Sequence, residues 1–184
     1  MRSIIVLAGI LFSFLTYAQS NNTDNPLTTV EVGRIIQYQS SGDWIKTSFY
    51  QDKKRSIEIV NFERKGIQTD SSKTYVATQS CKVEPAVGKD IKSYSLSSLG
   101  FFQKKNDFKI TKTFTHSDGM LQLSYAVGYW ANYTDDSGLL HKLIIVHGIH
   151  PKGYGIQFFI DCPDVIFSVL EEEITAQIRS IQYK

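Results

Sequence analysis

From Gly33 onward the apolar residues recur mainly at every second position, the period of a half-buried strand. In RIIQYQS, Ile35 and Gln37 fall on one side while Ile36 and Tyr38 fall on the other. SSGDW reads as a turn. WIKTSFY and RSIEIVNFE follow as further extended pieces, the latter alternating Ile57 and Ile59 against Glu58 and Val60. After the polar loop RKGIQTDSSK, TYVATQSCKVEP places Tyr75, Ala77, Gln79, Cys81 and Val83 on one face.

The period then lengthens. In GKDIKSYSLSSLGFFQKK, Ile91, Tyr94, Leu99, Phe101 and Phe102 share one arc of a helix, and Asp90 stands where an N-cap belongs. Gly100 within it costs about 1 kcal/mol relative to Ala. Alternation returns in DFKITKTFTH and MLQLSYAVGYWANY, which are separated by the turn signal SDG. After TDDSG comes HKLIIVHGIHPKGYGIQFFIDC, residues 141–162. Its LIIV is apolar on both faces, as an interior strand requires. GIHPKG reverses the chain into the alternating YGIQFFID.

The C-terminal segment predicts a helix. Ser168 and Glu171 have capping-box spacing, with Glu171, Glu172 and Glu173 in the first turn and Arg179 near the end. Leu170, Ile174, Ile178 and Ile181 form its apolar stripe. The order is strands, helix, four strands in hairpins, helix. Short hairpin loops make the sheet mostly antiparallel, and two amphipathic helices must cover it. The expected class is α+β, a central antiparallel sheet sandwiched by helices.

The first residues belong to no element of this fold. Arg2 followed by the uncharged run Ile4–Leu15, then Thr16-Tyr17-Ala18, has the form of a secretory signal cut between Ala18 and Gln19. The run is shorter than the about 18 to 20 residues that span a bilayer, so no transmembrane segment is expected after cleavage. Residues 1–18 are thus read as a signal peptide, 19–32 as a flexible polar leader and 33–184 as one domain. The expected destination is the periplasm or the outside of the cell. Without Arg2, 19 basic residues face 18 acidic ones. That balance argues against nucleic acid as a partner, which would require concentrated positive charge.

Export permits a disulfide between the two cysteines, Cys81 and Cys162; the alternative is two separate buried thiols. Three of the four histidines lie at 141, 147 and 150. His141 and His147 share a strand face but sit about 20 Å apart, too far to ligate one metal. His147 and His150 are the closer pair, a weak candidate without a third ligand. TDDSG is too short for a calcium loop and reads as a turn. No nucleophile elbow, phosphate loop, zinc-protease helix or dinucleotide fingerprint occurs, so no cofactor is expected. The candidate partner surface is GYWANY with its turn. Tyr129 and Trp130 point to opposite faces, and Tyr133, Asp135 and Asp136 stand close by.

The order of elements, with YQSSGDW carrying Trp44, a mid-chain helix before a long hairpin, YGIQFFID after its turn, and Phe167 before the EEEITAQIRSIQ helix with Ser180, resembles the PsbP-like superfamily that includes the Mog proteins. The resemblance spans Gly33 to Tyr183 and lacks the Pro often found just before the Trp. It implies an antiparallel sheet between helices, and a binding or assembly protein rather than an enzyme. Plant members assist the photosynthetic oxygen-evolving centre, and Mog proteins bind a small GTPase. The expected function is therefore an exported non-enzymatic protein that engages a protein partner or small ligand. An immunity or inhibitor protein against a secreted toxin is one specific form. An enzyme whose residues meet only in three dimensions is the competing class.

Overall fold

A computed structural model describes residues 26–69 and 72–184. The signal peptide expected at 1–18 and the start of the expected leader lie outside the described residues. The elements are β1 (Thr28–Val32), β2 (Ile36–Ser40), β3 (Trp44–Asp52), β4 (Ile57–Arg64), β5 (Ile67–Gln68), β6 (Thr74–Tyr75), β7 (Thr78–Pro85), α1 (Ile91–Phe102), β8 (Asn106–Thr115), β9 (Ala126–Thr134), β10 (Leu140–His150), β11 (Tyr154–Pro163), α2 (Asp164–Ser180) and β12 (Gln182–Tyr183).

Seven strands form one antiparallel sheet in the order β3-β4-β7-β11-β10-β9-β8. β10 lies inside it, paired on both edges, and Leu143, Ile144, Ile145 and Val146 are fully buried. Their apolar run needs partners on both faces, and the two helices supply them. Leu143 and Ile145 pack with Leu99 and Phe102 of α1, while Ile144 and Val146 share a larger core with Ile166, Leu170, Ile174 and Ile178 of α2. A three-stranded sheet, β1-β2-β12, extends the α2 layer. Tyr38 of β2 reaches the core there, edge-on to Phe158, and its hydroxyl accepts a hydrogen bond from Gln79. The α+β sandwich expected from the patterning is the observed fold.

Several boundaries differ from the sequence reading. The leader is not flexible throughout: residues 28–32 are β1, hydrogen-bonded along β2 through a turn in which Gly33 and Arg34 both take left-handed φ. Leu121 and Leu123 are buried, but from an irregular segment before β9 rather than from a strand. In α1, Asp90 accepts a hydrogen bond from the Ser93 amide as an N-cap should, yet Phe101 points outward and Ser95 takes a buried place instead. The last helix begins at Asp164, directly after Pro163, one turn before the expected Ser168 cap. Glu171–Glu173 therefore lie inside the helix and not in its first turn.

Cys81 and Cys162 are both buried free thiols. Cys81 on β7 stands opposite Phe158 on β11, and Cys162 lies four residues further along β11. That offset is about 13 Å at strand rise, beyond the reach of a disulfide.

Candidate functional site

The two faces of the sheet carry different chemistry. Beneath α1 the packing is rich in hydroxyls because SYSLSS presents serines to the sheet. Ser95 Oγ lies 2.9 Å from His147 Nδ1 and 2.8 Å from the Tyr129 hydroxyl. The neighbouring Gln157 donates to Glu84 and to Ser98 Oγ. Ser95 and His147 resemble a nucleophile and its base, but both are buried to within about a hundredth of their surface, so no substrate reaches them. Burial drives the His147 pKa down from 6.5 to about 4. The residue is a neutral core histidine.

The weak metal pair does not form. His147 and His150 are three residues apart on β10 and so point to opposite faces. His150 sits edge-on to Tyr183 at 4.9 Å, and its Nδ1 accepts the Lys152 amide. Among the described residues, no three His, Cys, Asp or Glu side chains converge as metal ligands do.

The aromatic stretch on β9 divides between the faces. Tyr129 turns under α1 to meet Ser95. Tyr133 is buried on the same side. Its hydroxyl donates to Asp161 at 2.6 Å, its ring stacks on His141 at 4.8 Å, and Lys105 Nζ lies 3.7 Å from the ring centre. Burial first, then the Asp161 carboxylate, raise the Tyr133 phenol above its ordinary range. Asp135 closes the β9–β10 turn, accepting from the Ser137 hydroxyl and from the amides of Ser137 and Leu139, and these bonds hold its carboxyl below its usual range. Asp136 is exposed beside it. Tyr133, Asp135 and Asp136 line a shallow cleft with Lys104 and Lys105. Of these three, Tyr133 is buried, Asp135 is half-buried and Asp136 is exposed.

Trp130 faces the other way and meets residues that the sequence did not associate with it. α2 packs on β2, β10 and β11, leaving the outer strands β8 and β9 projecting beyond it. The gap is a groove of about 380 Å³. Trp130, Phe167 and Met120 form its apolar floor, and Lys112, Lys142, Glu171 and Thr175 stand around it. The Trp130 ring is fixed edge-on to Phe167 at 5.8 Å and tilted against Phe114 at 6.2 Å. Lys142 pairs with Asp164 at 3.4 Å. The volume falls in the range of ligand pockets. An apolar floor with a mixed-charge rim suits one apolar side chain of a partner, with polar contacts around it. The sequence places neither Phe167 nor Met120 beside Trp130, because the three come from distant segments that share no local pattern.

The chain matches no protein-family model, and no curated protein matches it in sequence. Its architecture is similar to solved structures. The Saccharomyces cerevisiae Ran-binding protein Mog1p superposes with a TM-score of 0.56 at 9% identity, over 86% of this chain and 95% of that one. LpqN of Mycobacterium tuberculosis, involved in cell envelope biogenesis, gives 0.52 at 13% identity, over 89% of this chain and 87% of its own. PA94 of Pseudomonas aeruginosa, a protein of unknown function, gives 0.50 at 12% identity, over 84% and 94%. At such identities the likeness concerns the fold and not the site. The domain is an α+β sandwich similar to Mog1p, the architecture that the order of its strands and helices anticipated.

Proposed function

We propose that this chain is an exported, non-enzymatic binding or assembly protein, and that the groove beside α2 receives an apolar anchor residue of a protein partner. The observation that carries the reading is the groove itself. Trp130 and Phe167 are locked by ring contacts into a preformed floor, so binding need not order them. The solved neighbours support it in kind, one being a Ran-binding protein and another involved in envelope biogenesis. No described helix is long and apolar enough to cross a membrane.

Two experiments test it. N-terminal sequencing of the protein recovered from periplasm or medium is expected to begin at Gln19; a cytoplasmic protein retaining Met1 contradicts export. Peptides selected from a display library on the wild-type protein, then challenged with Thr175→Arg, address the groove. The expected binders carry one large apolar residue, shift the Trp130 indole resonance and lose affinity for Thr175→Arg. Peptides that bind both proteins equally contradict the groove as the docking site.

A further inference from the structure

β3 ends the seven-stranded sheet, and among the described residues its one ladder partner is β4. Seven consecutive residues, 45–51, are exposed along it. Three are large and apolar: Ile45, Phe49 and Tyr50 are 51%, 48% and 53% exposed. Lys46 is the single charged residue in that run. Long, apolar edges are templates for another strand, and proteins usually blunt them with charge and bulges.

A bulge is present, but it acts differently here. The register shifts between Lys46 and Ser48. Consequently Ile45 and Tyr50 stand opposite Glu63 and Ile59 on one face, while Lys46 and Phe49 stand opposite Phe62 and Val60 on the other. An unbulged strand would put Ile45 and Tyr50 on opposite faces. With the bulge, the alternation of faces along β3 is symmetric about the point between Thr47 and Ser48: Trp44 and Gln51, Ile45 and Tyr50, and Lys46 and Phe49 each share a face.

We infer that two copies of this chain associate through an antiparallel β3–β3 pairing on that two-fold axis. Residues opposite one another across a ladder share a face. In this register Ile45 meets Tyr50 of the second copy, Lys46 meets Phe49, and Trp44 meets Gln51, each pair on a common face. Every pair occurs twice, as an isologous interface demands. The one charge on the edge gains an aromatic partner: within the chain Lys46 Nζ already lies 4.6 Å from the Phe49 ring centre, so the pair is chemically matched. α1 covers β9 and β10 and leaves the same face of β3 and β4 open, so Ile45, Tyr50 and half-buried Ile57 and Ile59 merge into one apolar strip across the axis.

The test is sedimentation equilibrium of the full mature chain over a concentration series, with variants at exposed edge positions whose folding is checked by circular dichroism. Wild type is expected to double in mass reversibly with concentration. Phe49→Lys sets lysine against lysine and is expected to abolish the dimer. Phe49→Glu sets glutamate against Lys46 and is expected to retain it. Lys46→Glu/Phe49→Glu fails alone but forms a heterodimer when mixed with Phe49→Lys. A wild type that stays monomeric throughout, a dimer indifferent to Phe49→Lys, or β3 captured instead by the strand of a different protein each overturns the inference.

Discussion

The carboxylate of Glu173 on α2 accepts a hydrogen bond from the Trp44 indole on β3 at 2.7 Å. The same oxygen accepts from Ser41 Oγ, and the other pairs with Arg64 Nε at 3.2 Å. Arg64 in turn holds Asp43 at 3.1 Å. One acidic side chain thus fastens the last helix to the turn that opens the main sheet. Burial of these polar groups is tolerated because each has a partner. The latch also fixes where α2 lies, and so where the groove beside it opens.

Glu173→Ala leaves the Trp44 N–H and the Arg64 guanidinium without their acceptor. The expected loss is about 2 kcal/mol in urea unfolding, the usual cost of removing a charged hydrogen-bond partner. Glu172→Ala, on an exposed site of the same helix, is expected to cost far less.

Gly128 on β9 leaves room for the Phe114 ring. A Cβ added there comes within 2.1 Å of a ring carbon. Phe114 is fully buried against Trp130 and has little space to yield. Gly128→Ala is expected to destabilise by about 1 to 3 kcal/mol, the cost of overpacking. It should also disturb the Trp130 fluorescence, because the displaced ring supports the groove floor.

Stability should fall with acid. The folded His147 titrates at about 4 and an ordinary histidine at 6.5, so the unfolded chain takes up this proton first. The contribution is complete above 6.5 and is lost as pH drops toward 4, on the order of 3 kcal/mol. His150, lowered by burial, acts in the same direction. Urea titrations at neutral and at mildly acid pH measure the slope, and His147→Gln is expected to flatten it.

Both thiols should be silent in the native protein. Burial, then repulsion from Asp161 and Asp164, push Cys162 to about 12, and burial raises Cys81 as well. A thiol reagent is expected to label neither until urea is added, and then both. The mass of the untreated protein should match that of the reduced one. Rapid labelling in the native state contradicts the placement of these residues.

What the sequence disclosed followed from local period. Alternation in YGIQFFID and the two-sided LIIV mark the interior strands, and Leu170, Ile174 and Ile178 mark the buried stripe of α2. The misreadings have local causes too. TTVEV alternates only Val30 and Val32 around Glu31, too short a run to mark a strand beside its polar flank, and it forms β1 by pairing with β2. Ser168 and Glu171 have the spacing of a capping box, yet α2 begins four residues earlier at Asp164. The site was less legible than the fold. Trp130 was singled out, but its groove joins residues 112, 120, 130 and 167 from separate elements, and no short-range pattern joins them. The Glu173–Trp44 bond spans 129 residues, and only the tertiary structure brings its ends together.

Site-specific photocrosslinking in the producing cell tests the central claim most directly. A photoreactive residue placed at Thr175, on the groove rim, is compared with one at Val87, which is exposed far from it in the loop after β7. The account predicts a discrete adduct from position 175, lost when Lys112→Glu alters the rim, and none from position 87. Adducts of equal yield from both positions would contradict the groove as the place where this protein meets its partner.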